Sequence, residues 1–229
     1  MTTTLITGAN KGLGYATARR LLALGHDVWM AARDPDLGTE AAKALGGRFV
    51  QLDVTDDGSV AAAAETVAAN GGLDVLINNA GIGARTPVAE TTAADVARVF
   101  DVNVLGSVRV MYAFTALLEA SPAPVVVNVS SGLGSLTLAS EAQGPYSQLN
   151  LLGYTSSKAA LNMLTIQWAT AHPRWRVNAA DPGYTATDLN QHRGTQTVEE
   201  GSDAIVALAT IAPDGPTGIF SDRDGIRPW

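Results

Sequence analysis

The chain contains no cysteine, which excludes disulfides, thiolate metal sites and a cysteine nucleophile and leaves the redox compartment open. It has no basic cluster either: 15 Lys and Arg stand against 22 Asp and Glu, a net charge of −7. Duplex binding needs concentrated cations to displace counterions from phosphate, so no nucleic-acid partner is expected. Nowhere is there a run of about 18 uninterrupted apolar residues, the length a membrane span requires, and no membrane partner is expected. The start, Met1-Thr2-Thr3-Thr4-Leu5-Ile6, lacks the basic segment and apolar stretch of a signal peptide, and the expected location is cytoplasmic. The three histidines, His26, His172 and His192, share no ligand spacing with carboxylates; all are expected at the surface, and no metal is expected. The 23 glycines and 10 prolines form no repeat, which removes fibrous and solenoid architectures.

What is present suits one soluble domain spanning residues 1–229, since 46% of residues are hydrophobic and 16% charged. Short β-rich runs alternate with longer helical ones. Strands are expected at Thr3–Thr7, Asp27–Met30, Arg48–Leu52, Val75–Asn78, Pro124–Ser130, Arg176–Ala180 and Gly218–Ser221. Helices are expected near Gly12–Leu24, Gly38–Leu45, Gly58–Asn70, Thr92–Leu118, Tyr154–Ala171 and Val198–Thr210. Val75-Leu76-Ile77 and Val125-Val126-Val127 are apolar on both faces, as parallel strands covered by helices on each side must be. The alternation predicts an α/β fold, a single doubly wound Rossmann-type domain with a parallel sheet of about seven strands. Gly132–Gly153 and Thr185–Thr197 fit neither pattern. Both follow strand C-terminal ends, where such folds bind ligands.

The first strand runs into Thr7-Gly8-Ala9-Asn10-Lys11-Gly12-Leu13-Gly14 and then a helix. Glycines let the backbone approach a ligand closely, and the free N–H groups of a helix start attract pyrophosphate. The spacing is Gly-x3-Gly-x-Gly rather than the general Gly-x-Gly-x-x-Gly, and alone it also describes an ordinary tight βα turn.

Thr7-Gly8-x3-Gly12-x-Gly14, Asn78-Asn79-Ala80-Gly81, Asn103, Ser131, Tyr154-x3-Lys158 and Pro182-Gly183 follow one another in an order and spacing that resembles the short-chain dehydrogenases/reductases, over essentially the whole chain. Asn10-Lys11 and the long segment before Tyr154 look most like the carbonyl-reductase-like branch. The resemblance implies an oxidoreductase reducing a ketone, aldehyde or quinone, or oxidising the alcohol, with a small-molecule substrate and a monomeric or homodimeric state. It implies that Ser131, Tyr154, Lys158 and Asn103 are catalytic, Ser131 bonding the carbonyl and Asn103 holding a water that links Lys158 to solvent. For the cofactor it implies Gly8, Asn10, Lys11, Gly12, Leu13, Gly14, Asp53, Val54, Asn79, Ala80 and Gly81 on one side. Pro182, Gly183, Thr185 and Thr187 would serve the nicotinamide carboxamide, with Lys158 bonding the nicotinamide ribose beside Tyr154, and Asn78 would be structural.

Tyr154 and Lys158 stand four apart on one helix face. A cation roughly 5 Å from the phenol, at an effective dielectric near 20, favours phenolate by ~3 kcal/mol and would bring Tyr154 to about 8. The distance from Ser131 to Tyr154 exceeds the compact family spacing, so Ser140-Glu141-Ala142-Gln143-Gly144-Pro145-Tyr146 must bulge over the site or across an oligomer surface. Cofactor choice rests on the end of the second strand. Where an NAD-selective chain needs a carboxylate for the ribose 2′-OH, this one has Ala32 followed by Arg33, and with Lys11 the expectation is NADP(H) rather than NAD(H). Asp34 and Asp36 argue the other way, although Asp34 before Pro35 reads as a turn former. A protein that kept the fold and senses NADP(H) without catalysis is the alternative; a sugar-nucleotide epimerase would need a larger C-terminal substrate domain.

Overall fold

The computed structural model describes residues 1–83, 86–144, 146 and 149–229. β1 (Thr3–Thr7), β2 (Asp27–Ala32) and β3 (Arg48–Gln51) are linked by α1 (Gly12–Ala23) and α2 (Pro35–Leu45). α3 (Asp57–Ala68) returns the chain to β4 (Val75–Asn78), and α4 (Ala93–Phe100) and α5 (Gly106–Ala120) lead to β5 (Val125–Val129). After α6 (Leu136–Ser140) and α7 (Leu152–Ala171) come β6 (Arg176–Ala180), α8 (Val198–Gly201), α9 (Asp203–Ala209), β7 (Phe220–Asp222) and β8 (Gly225–Ile226).

The sheet order is β3-β2-β1-β4-β5-β6-β7-β8. β1 to β7 run parallel, as the alternation predicts; β8 is an added antiparallel strand paired with β7. The two strands are joined by the two-residue turn Arg223-Asp224, and Gly225, the first residue of β8, has φ +137; so short a hairpin carries no hydrophobic periodicity to read. Alternate side chains of each strand enter opposite cores. Leu5, Trp29, Leu76 and Val126 pack with Val67, Phe114 and Trp175 on the face of α3, α5 and α7. Ile6, Met30, Ile77 and Val127 pack with Leu21, Ala41 and Ile205 on the face of α1, α2 and α9. Burying such aliphatic side chains stabilises the fold by roughly 1.5–3 kcal/mol each.

Chain direction across the sheet reverses between β1 and β4, so their C-terminal ends open a crevice at the switch point. The glycine turn lies at this edge, as the pattern predicts.

The expected helix Thr92–Leu118 is instead three pieces. Thr92 begins it with a capping box to Asp95, and the turn Asp101–Leu105 is π-helical before α5 resumes. One extra residue in that turn re-aims Asn103 inward, and π-turns of this kind recur at functional sites. By length and composition the run Ala93–Ala120 could cross a membrane, but its Val99, Val110, Phe114 and Leu118 are fully buried in this fold. Two histidines are half-buried rather than at the surface. His26 meets the Thr4 hydroxyl at 2.8 Å, and His172 stacks on Trp175 at 3.9 Å. Among the described residues no group of three or more His, Asp or Glu side chains could hold a metal.

Candidate active site

The glycine turn is held open by its own backbone. Gly8 and Gly12 have φ of +65 and +59, in the left-handed region that glycine tolerates. A Cβ on Gly14 would lie 2.5 Å from the Gly8 carbonyl oxygen and 2.6 Å from Asn79 Nδ2, so the cradle fits only glycine there. Asn79 braces it: Nδ2 donates to the carbonyls of Thr7 (2.8 Å) and Gly8 (3.1 Å). Ala80 packs under Gly8, and Leu13 packs near Gly201 and Thr185. Asn10, in the turn itself, is partly buried.

At the far end of the crevice, the Asp53 carboxylate accepts from the Thr55 N–H (2.9 Å) and hydroxyl (2.7 Å). Burial would raise its pKa, but Thr55, Arg33 and Arg109 together hold it below the ordinary carboxylate value. Arg33 and Asp53 therefore share one electrostatic neighbourhood, with Arg33 exposed. Val54 is pinned by α5, where only a glycine at 106 avoids a Cβ contact of 2.9 Å. Asp34 caps α2, accepting from the N–H groups of Asp36 and Leu37 at 3.0 Å each, which confirms it as a helix-start residue. Lys11 is paired with Asp188 at 2.6 Å across the mouth of the crevice. Both partners are exposed, so solvent screens the pair and it holds the two segments together only weakly.

The other half gathers side chains at the ends of β4, β5 and β6. Lys158 is 5% exposed; its Nζ donates to the Val129 carbonyl at 2.7 Å and lies 5.7 Å from the Tyr154 ring centre. A Cβ on Gly81 would sit 3.4 Å from Asn103 Oδ1 and 3.7 Å from Lys158 Nζ, so these three residues converge. Ser131, one residue past Ser130 at the end of β5, hydrogen-bonds the Tyr154 phenol and accepts from the Leu133 N–H at 3.2 Å. Neighbouring Ser130 is buried and donates to Asn162 Oδ1 at 2.5 Å. That bond separates the two serines: Ser130 is committed to the scaffold, while Ser131 faces the phenol.

Asn103 uses its whole amide as a clamp. Oδ1 accepts from the Ile82 N–H (2.8 Å), and Nδ2 donates to the Ile82 carbonyl (3.0 Å) and the Ser157 hydroxyl (3.0 Å). It ties the segment after β4 to α7. Asn78 is structural, as expected, donating to Asn128 Oδ1 at 2.9 Å.

The electrostatics of the pair correct the sequence expectation. Desolvation, reinforced by the Asp181 charge and opposed by the Ser131 hydrogen bond, pushes the Tyr154 phenol up to about 12 rather than down to about 8. Burial pushes Lys158 down to about 8. Spacing alone places a cation near a phenol but says nothing of the water both have lost, and here desolvation is the largest influence on each.

Beyond β6, Gly183 (φ +66) turns the chain after Pro182, Thr185 bonds the Pro182 carbonyl at 2.7 Å, and the Thr187 methyl lies over Gly12. Within Gly132–Gly153 the described residues include a 3-10 turn, Gly132–Gly134, and α6. It folds over the serine turn, with Tyr146 against Gly132 and the Thr137 N–H donating to the Trp229 carbonyl at 3.0 Å. Pro145 lies outside the described residues. Between the serine turn and the start of α7 is a cleft of about 330 Å³ lined by Val88, Leu133, Ala139, Tyr146, Leu149 and Leu151 among others. Two polar residues missing from the sequence reading help build the site. Asn162 extends the Tyr154–Lys158 face by one more turn, a spacing that was legible; Asp181 stands at the end of β6, where only the register with β5 shows its value.

A parallel sheet with a glycine cradle at its switch point and a Ser-Tyr-Lys cluster beside it defines an α/β oxidoreductase of the dinucleotide-binding type. The family model for short chain dehydrogenases matches residues 2–197, and the chain belongs to that family. It is 32% identical to a (+)-neomenthol dehydrogenase of Arabidopsis thaliana, covering 98% of this chain and 97% of that protein. Salutaridine reductase from Papaver somniferum superposes with a TM-score of 0.86 at 27% identity, covering 96% of this chain and 99% of that one. An NADPH-bound carbonyl reductase from chicken fatty liver superposes with a TM-score of 0.84 at 30% identity, covering 100% and 99% respectively.

Proposed function

We propose that this chain is an NADP(H)-dependent reductase of an apolar carbonyl compound, running in reverse as an alcohol dehydrogenase. The observation that carries the reading is the convergence of Ser131, Tyr154 and Lys158 beside Gly81 at the open end of the glycine cradle. The cradle fits a pyrophosphate, since α1 begins at Gly12 with only the Thr187 methyl near the place of its missing Cβ, and no N-cap side chain covers the first N–H groups of the helix. Gly8, Asn10, Gly12, Leu13 and Gly14 would hold the phosphates, Asp53, Val54, Asn79, Ala80 and Gly81 the adenosine side, and Pro182, Gly183, Thr185 and Thr187 the nicotinamide. Bound nicotinamide supplies the hydride.

The side chains of this protein supply orientation and the proton. Ser131 donates to the substrate oxygen, and Tyr154 Oη gives that oxygen its proton in reduction. A phenol held at about 12 stays protonated and so remains a donor at neutral pH. Lys158 is close to half-charged near pH 8, which lets it restore the proton to Tyr154, with Asn103 fixing the neighbouring backbone. The apolar wall of the cleft formed by Leu133, Leu149 and Leu151 favours a hydrocarbon substrate body.

Arg33 and Lys11 favour a 2′-phosphate, and Asp34 is drawn away from the ribose by its capping bonds. NADPH oxidation is followed with a panel of aldehydes, ketones and quinones. Both cofactors are then titrated into wild type and Arg33→Ala. Loss of one charge-assisted contact should weaken NADPH binding about tenfold to a hundredfold and leave NADH binding nearly unchanged. An NADH preference in the wild type, or equal losses for both cofactors, overturns the assignment.

A further inference from the structure

We propose that Asp181 is a positioning residue: its carboxylate clamps the Ser131-Gly132 turn to the Pro182-Gly183 turn and so holds the serine hydroxyl against the Tyr154 phenol. The inference rests on the proposed reductase reading and adds to it a residue that touches neither substrate nor cofactor.

Register places Asp181 there. Val129 of β5 lies opposite Ala180 of β6, and the Ser130 N–H donates to the Ala180 carbonyl at 2.8 Å, so the next residues of each strand emerge side by side. The Asp181 backbone is fixed from the other flank by its N–H bond to the Ser221 carbonyl, also 2.8 Å. Its side chain is almost fully enclosed, at 5% exposure. Oδ1 accepts from the Gly183 N–H at 3.0 Å, and the carboxylate also accepts from the Gly132 N–H. One buried group thus joins the turn carrying Ser131 to the turn assigned to the nicotinamide. A buried acid with two backbone donors aimed at it is costly to leave half-satisfied, which makes the arrangement rigid.

The surroundings are built for this contact. A Cβ on Gly132 would lie 2.8 Å from Asp181 Oδ2 and would overlap the Tyr146 hydroxyl, so only glycine lets both approach. Tyr146 hydrogen-bonds Arg227, and Arg227 lies 3.2 Å from Asp222. Asp181 is therefore faced by Tyr146 of the long loop, by Arg227 and Asp222 of the β7–β8 hairpin, and by the two glycine amides. Burial pushes its carboxyl up, the amides and Arg227 pull it down, and Asp222 adds to the rise.

The test uses the full chain with Asp181→Asn, which keeps shape but offers the two amides one acceptor oxygen instead of two, and with Asp181→Ser as a smaller uncharged acceptor should the first variant fail to fold. Amide hydrogen exchange by NMR is read first. The Gly132 and Gly183 amides should exchange at least tenfold faster, while the Ser130 amide, bonded within the sheet, stays slow. NADPH oxidation with benzaldehyde and menthone as probes is read second, in a cycle with Ser131→Ala. Asp181→Asn should cut kcat at least tenfold when Ser131 is present and by a clearly smaller factor when it is absent, because the part of its effect that passes through that hydroxyl is then lost. Unchanged exchange at both glycines, or equal kcat losses in the two backgrounds, overturns the clamp. If the wild type oxidises no NADPH with any carbonyl, the reductase reading falls, while the exchange measurement still decides whether Asp181 ties the two turns.

Discussion

The two halves of the crevice are made of different material. On the β1 side the cradle is backbone: Gly8 and Gly14 let the turn pack closely on itself and on Asn79 and Ala80, Gly12 opens α1, and the main side chain involved, Asn79, spends Nδ2 on two carbonyls of the turn. On the β5–β6 side the site is side chain: Lys158, Asn103, Ser131, Tyr154 and Asp181 are brought together from helices and strand ends far apart in sequence. A backbone site is damaged by adding atoms. A side-chain site is damaged by removing them, and it stores the cost of the charges it hides.

The largest expected effect breaks the side-chain half. Tyr154→Phe removes the transferable proton and keeps the ring, so turnover should drop by on the order of 10³-fold with NADPH affinity nearly intact. Steady-state rates beside cofactor fluorescence titration decide it, and a fully active variant means that another group delivers the proton.

Next in size is the backbone half. Gly14→Ala places a methyl 2.5 Å from the Gly8 oxygen, and overpacking of this kind costs about 1–3 kcal/mol. Thermal unfolding should show that loss, and NADPH binding should weaken about tenfold, because the strain falls on the amides that would face the phosphates. A variant with wild-type affinity would show that the turn is looser than its packing indicates.

Smallest, and opposite in sign, is the stability cost of the hidden charge. The fall of Lys158 from 10.5 to about 8 corresponds to roughly 3 kcal/mol of penalty on the charged form. A lysine with a depressed folded value costs most below pH 8, and the cost fades as pH rises from 8 toward 10.5. Lys158→Met should stabilise the fold at pH 7 by ~1–2 kcal/mol, after about 1 kcal/mol is lost with the bond to the Val129 carbonyl. Denaturant unfolding at pH 7 and pH 10 checks this, and the advantage of the variant should shrink at the higher pH. A destabilised variant at both pH values would mean that the lysine is held by more than it loses to burial.

The same contrast sets how much could be read in advance. Hydrophobic runs such as Val75-Leu76-Ile77, and glycines ahead of a helical stretch, are local patterns, because strand burial and a tight βα turn are dictated by a few neighbouring residues. They were enough for seven parallel strands and the switch-point crevice, while the family was read from the order of several motifs along the whole chain. Spacing put Tyr154 and Lys158 on one helix face, and the role expected of the pair came from the family resemblance. The π-turn at Asp101–Leu105 was not, since one extra residue in a helix leaves no mark on a hydrophobic pattern. The choice between Ser130 and Ser131 rested on resemblance, because the bond from Ser130 to Asn162 joins residues 32 positions apart.

What the sequence by itself determined is therefore the seven parallel strands, the order of the main helices between them, and the pairs that a short helical spacing puts on one face. Tertiary structure decided the quantities that depend on what surrounds a group after burial. Tyr154 rises to about 12 although Lys158 is near, Lys11 is engaged with Asp188, and Asp181 joins two turns that are 51 positions apart counted from Ser131 to Pro182. Each of these rests on desolvation and on contacts between distant segments, which are set only once the sheet register brings the strand ends together.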